Sequence, residues 1–246
     1  MKKNRFSRCF LLLFSFGITS VNSHAQIGNP GLIYQGAFNN AMFMNTQTAI
    51  RRSMQKQAAS GYKAQSNTSL NNRFSYTPSA TVRQKLTRSI AESMAGTNKP
   101  AIQSNINMLT RAALLRDFEN LLRQYDFNSH NLADVFAAYI IVSWETASGN
   151  DASNSRKGIE AFRKEVHQTF SATPEMAQLS NEQKQTATET LSYLAILTIM
   201  INRELATKGN SRAITQVRDN MARMTLQVTG MDVSQYLLTP KGLVKK

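Results

Sequence analysis

The sequence predicts an all-α protein: a helical bundle of about five to six helices with two central apolar helices, preceded by a largely disordered basic arm. Three observations predict it. Leu132–Trp144 and Leu191–Ile201 carry only two polar residues each, Asp134 and Ser143 in the first, Ser192 and Thr198 in the second. Around them apolar residues recur every three or four positions, and no strand signal of comparable strength appears. Ahead of them, residues 26–77 are rich in Asn, Gln and Ser, and segments such as Ser66-Asn67-Thr68-Ser69-Leu70-Asn71-Asn72 lack any apolar period.

Residues 1–25 read as a signal peptide. Lys2, Lys3, Arg5 and Arg8 open it, Cys9–Ile18 is apolar, and Ser23-His24-Ala25 supplies the small residues a signal peptidase reads. The apolar run is shorter than the ~20 residues that span a bilayer. Cleavage is expected between Ala25 and Gln26, giving an exported, periplasmic or secreted product without a membrane span. Cys9, the only cysteine, leaves with the leader, so the mature chain has neither a disulfide nor a thiol nucleophile.

Four of the chain's 14 net positive charges lie in this leader, which leaves +10. From Gln26 to Ala91 there is no acid, while Arg51, Arg52, Lys56, Lys63, Arg73, Arg83, Lys85 and Arg88 contribute eight bases. The arm, residues 26–77, is therefore the expected source of attraction to anionic partners. Met42, Ala49, Ile50 and Met54 mark a weak amphipathic helix over Ala41–Ala59, with a transient helix or none as the preferred reading. The body is expected to fold without the arm.

The helical domain is expected over residues 78–238. Thr77-Pro78 offers a start for a first helix, with Val82, Leu86, Ile90 and Met94 on one face up to Gly96. A second helix follows Pro100 and can break into two pieces before Tyr125. Asn131 is an N-cap with Asp134 three residues on, opening the first central helix, which ends near Gly149. Burial is expected for Trp144. Ile159, Phe162, Val166 and Phe170 mark an amphipathic helix stopped before Thr173-Pro174, where a short turn of helix fits. Ser180 with Gln183 makes a capping-box pattern for the second central helix, and a last helix begins at Ser211. Residues 239–246 form a tail. An antiparallel arrangement is the economical reading of such a bundle.

Several of these residues carry a resemblance. Leu132-Ala133-Asp134 leading to Trp144, Gln183–Glu189 with Tyr193, and Leu238-Thr239-Pro240 with Gly242-Leu243 resemble a family of uncharacterised exported bacterial proteins, grouped as a domain of unknown function. The resemblance covers roughly Asn107 to the C-terminus and leaves the arm outside. It implies an exported helical domain and brings no mechanism.

Chemistry-bearing motifs are sparse. His130 and His167 have no ligand spacing, so no metal site is expected, and His130 in Asn128-Ser129-His130-Asn131 suits a turn. Met221 and Met224 fall on an apolar stripe and read as core. No serine-nucleophile motif and no phosphate-binding glycine loop is present, which excludes a nucleotide enzyme; no cofactor is expected. The best enzyme reading is an envelope hydrolase with Glu145 or Glu189 as its acid. Against it, Glu145 can reach solvent near a helix end, and Gln185, Glu189 and Tyr193, spaced by four, suit a polar stripe bonding between helices. The favoured function is a non-enzymatic module whose bundle contacts another envelope protein and whose arm binds anionic envelope polymers through Arg51, Arg52, Lys56, Lys63 and Arg73. Nucleic acid is not expected, because no recognition module is present and few aromatics interleave with the bases.

Overall fold

A computed structural model describes residues 41–60, 72–111, 114–208 and 211–246. The leader and Lys63 lie outside the described residues. The fold is an all-α bundle: α1 (Ala41–Ser60), a 3-10 turn (Asn72–Phe74), α2 (Ala80–Ala95), α3 (Ala101–Arg111), α4 (Leu114–Gln124), α5 (Leu132–Ser148), α6 (Arg156–Ser171), α7 (Pro174–Ala177), α8 (Asn181–Lys208) and α9 (Ser211–Thr229). A hairpin of β1 (Tyr236–Thr239) and β2 (Gly242–Lys245) ends it. No described helix is long and apolar enough to cross a membrane.

The centre is α5 packed on α8. Thirteen of the 17 residues of α5 are buried, as a helix without a polar face must be inside a bundle. Its start is fixed by the Asn131 side chain, which accepts from the amides of Ala133 and Asp134. At the head of α8 the capping box is complete: Gln183 donates its amide to Ser180 Oγ, and Gln183 Oε1 accepts from the Ser180 amide.

The central pair is not antiparallel. Asn131, just ahead of α5, and Asn181, the first residue of α8, bind the same short segment, through Ser75 and Thr77 respectively. Near the opposite ends, Asn202 of α8 donates to Thr146 Oγ1 of α5 at 2.7 Å. The two helices run the same way, because the intervening 16-residue α6 carries the chain back before α8 begins.

Three further expectations are corrected. The packed body starts well before residue 78. Phe43, Ala49, Ile50 and Met54 of α1 are buried in the core that holds α5 and α8, so four anchors suffice to dock an otherwise polar helix. Helix α2 starts at Ala80 with Ser79 as N-cap, not at Pro78. Ser79 is itself extended (φ −117°, ψ 122°), with its amide and carbonyl held by Gln185, so the helical path opens only after it.

Finally, residues 239–246 are not a loose tail. Tyr236 pairs with Lys245, Leu237 with Val244, Leu238 with Leu243 and Thr239 with Gly242. An isolated two-stranded hairpin is marginal in water. Here α6 supports it: Gly158 lets the Thr239 carbonyl press so close to the helix that a Cβ would collide with it. The buried indole of Trp144 adds a hydrogen bond from Nε1 to the Tyr236 carbonyl at 3.0 Å.

Candidate functional site

The most elaborate polar arrangement joins the start of α8 to the extended segment 75–79, which runs like a strap between the 3-10 turn and α2. Asn181 Oδ1 accepts from the Thr77 amide and Asn181 Nδ2 donates to the Thr77 carbonyl, both at 2.8 Å. Four residues on, Gln185 treats Ser79 the same way, accepting from its amide and donating to its carbonyl at 2.9 Å each. Two side-chain amides thus imitate the edge of a strand. One more backbone group is taken up beside residues 130–131, where the Tyr76 amide donates to the His130 carbonyl, and Asn131 Nδ2 donates to Ser75 Oγ. His130 has the expected turn role, with its ring set edge-on to Tyr76.

One turn further along α8 the stripe continues with Glu189. Its Oε1 accepts from Arg83 Nε at 3.1 Å, Arg83 Nη2 at 2.8 Å and Gln185 Nε2 at 3.0 Å. Its Oε2 is buried and has no hydrogen-bond partner. Tyr193, the next member, lies 3.4 Å from Thr87 Oγ1. Burial, with the charge of Glu189 adding to it, raises the pKa of both Tyr76 and Tyr193. Both phenols therefore stay protonated at neutral pH. The Glu189 bond in turn holds the Arg83 guanidinium above its ordinary value. Gln185, Glu189 and Tyr193 are thus the interhelical stripe their spacing suggests.

A second buried centre lies between α5 and α6. Asp134 accepts from Arg163 Nε and Nη2 at 2.6 Å each, from the Asn128 amide at 2.7 Å, and meets His167 Nε2 at 2.6 Å. All three side chains are nearly inaccessible. Burial opposes ionisation of Asp134, but the bonds from His167, Arg163 and the Asn128 amide outweigh it and hold its carboxyl below the usual range. Arg163 also stacks over Phe127 at 4.6 Å. Asp134, which the spacing offers as a capping partner of Asn131, directs its carboxylate to α6 and to the Asn128 amide. The sequence held one signal for this centre: Arg163 and His167 are spaced by four opposite a lone acid in an apolar run.

Glu145 behaves differently from both. It is partly buried at the end of α5, and its Oε1 turns back to accept the Ala152 amide at 2.7 Å. That bond folds the loop 149–155 over the helix end, and Ala152 is buried. Burial pushes the Glu145 pKa up from an ordinary 4.5 to about 8, the Ala152 amide opposing and Asp151 reinforcing the rise. Glu145 and Glu189 are not brought together. Glu145 sits one residue from Thr146, which bonds Asn202, so Glu189 lies some twelve residues back along the parallel helix. At 1.5 Å per residue this is roughly 18 Å. Paired glycosidase carboxylates stand within ~10 Å of each other.

Of the basic candidates, Arg51 and Arg52 are exposed on α1, and Lys56 falls on the same helix. Arg73 is exposed in the 3-10 turn, where its carbonyl accepts from Lys184 of α8. Among the described residues no group of three or more His, Cys, Asp or Glu side chains is placed to hold a metal ion.

These features define an α-helical bundle with a buried polar framework and a C-terminal hairpin. The chain belongs to a family of unknown function, DUF6683, whose model matches residues 10–246. The match takes in the arm, which the resemblance in the sequence had left outside. No curated protein and no solved structure matches the chain.

Proposed function

We propose that the protein is an exported, non-enzymatic helical module that associates with anionic envelope material through the basic face of α1. The carrying observation is the way this helix is held. Phe43, Ala49, Ile50 and Met54 anchor it in the core, while Arg51 and Arg52 remain exposed on a helix that has no acid. Charges fixed on a docked helix lose less conformational freedom on binding than the same charges on a coil. Export rests on the leader, Lys2 to Ala25.

Attraction of this kind works through released counterions and is steeply salt-dependent. The chain from Gln26 onward should bind heparin and lipopolysaccharide at low salt, and Arg51→Gln with Arg52→Gln should weaken that binding at least tenfold. Salt-insensitive binding, or equal binding by the double variant, would refute the proposal. The alternative, an envelope hydrolase, is supported by one feature: Glu145 keeps its proton near neutrality, as a general acid must. Clearance of wall or glycan substrates that is lost in Glu145→Gln or Glu189→Gln would establish it.

A further inference from the structure

Beside the basic face lies an open depression of about 260 Å³, walled by α1 on one side and by α7 and the head of α8 on the other. Ala49 and Leu179 give it two apolar surfaces, and Thr48 stands at its edge. The remaining lining groups are Arg52, Glu175, Gln178 and Gln183, two opposite charges and two carboxamides.

The charges face each other as a loose ion pair. Arg52 Nη1 and Glu175 Oε1 are 3.9 Å apart, too far for a hydrogen bond, and Glu175 Oε2 has no hydrogen-bond partner although it is buried. Gln183 commits its Oε1 to the cap of α8, which leaves its Nε2 as a donor. The depression thus offers a guanidinium, a partly exposed carboxylate and an amide donor, over a small apolar floor.

We propose that this depression binds a small zwitterionic peptide by its charged ends, the α-carboxylate on Arg52 and the α-ammonium on Glu175. A simple anion would be repelled by Glu175 and a simple cation by Arg52. A neutral sugar would bring no charge to either partner of the loose Arg52–Glu175 pair and would find no aromatic ring among the lining residues to stack on. A molecule carrying both charges, with a peptide bond between them for the Gln183 amide, answers Arg52, Glu175 and Gln183 together. The volume lies just below the ~300 Å³ at which sites for drug-sized ligands begin, which suits a dipeptide. Arg presents two parallel donors to a carboxylate, the geometry that best selects one.

The test is a titration of the ¹⁵N-labelled chain with alanyl-alanine, followed by amide shifts. Saturable shifts are expected at Thr48, Ala49 and Leu179. Acetylating the dipeptide's amine or amidating its carboxylate should each weaken binding at least tenfold. Arg52→Gln should abolish the penalty for amidation, and Glu175→Gln the penalty for acetylation; both side chains are partly exposed, so these variants fold. Binding that ignores both blocking groups, shifts confined to other elements, or no saturation would overturn the proposal. Failure here is separable from failure of the polyanion reading: Arg51→Gln should weaken heparin binding and leave the dipeptide titration unchanged.

Discussion

Replacing Glu145 by Gln should make the protein more stable above pH 6 and flatten its pH dependence. In the folded chain the carboxyl titrates at about 8 because it is buried, against an ordinary 4.5. Below pH 4.5 both states hold the proton and the residue is neutral in its effect. Between 4.5 and 8 the unfolded chain releases the proton and the folded chain keeps it, so stability falls as pH rises. At about 1.36 kcal/mol per pH unit, the loss reaches about 3 kcal/mol at pH 7 and levels near 5 kcal/mol above pH 8. Gln cannot titrate, yet its carbonyl can still accept the Ala152 amide. Urea denaturation of both chains at half-unit steps from pH 5 to 9 reads the difference directly, with other titrating groups cancelling between them. Two curves that run parallel across this range would show that Glu145 is not held protonated by the fold.

Three other outcomes follow from the packing. Ile50→Ala, which empties a buried anchor of α1, should cost about 2–5 kcal/mol in denaturant unfolding; no change would return α1 to the status of an accessory arm. Asp134→Asn should cost about 3–5 kcal/mol by leaving Arg163 buried without its counter-charge. Because the Asp134 pKa is lowered by folding, the variant should also remove part of the wild-type stability loss seen as pH falls below ~4, measurable by acid titration of circular dichroism. Trp144→Phe keeps an aromatic side chain, though a smaller one, and strips the donor from the Tyr236 carbonyl, so faster hydrogen exchange in 236–245 is expected, with at least ~1–3 kcal/mol lost.

What could be read from the chain is what local chemistry decides. The thirteen-residue apolar run into Trp144, the Asn131 cap, the Ser180 and Gln183 box and the four-residue spacing of Gln185, Glu189 and Tyr193 each announce themselves within a turn or two. What escaped depends on partners far away in sequence. Helix α1 looks too polar to order, and it is held because its few apolar residues meet α8 and α9, built more than 120 residues later. Asp134 reads as a capping residue until α6 delivers Arg163 and His167 to it. Glu145 reads as a surface acid until its loop turns back to Ala152. The hairpin strands are four residues long, too short for alternation to stand out.

The carboxamide stitching of the strap also sets its own length. Residues four apart on a helix advance about 6.0 Å. Alternate residues of an extended chain advance about 6.7 Å. A single repeat absorbs the difference, so Asn181 and Gln185 can each grip one peptide unit, at Thr77 and Ser79. A third repeat would be out of step by well over 1 Å, and the helical twist of about 40° per four residues would swing the next side chain aside. Glu189, in that third position, accordingly binds a guanidinium instead of a backbone, and the chain leaves its extended path for α2 at Ala80. The vernier between two kinds of secondary structure thus measures out where the strap ends. Only residues with both a donor and an acceptor can serve at its two marks, which bars Asp and Glu from positions 181 and 185.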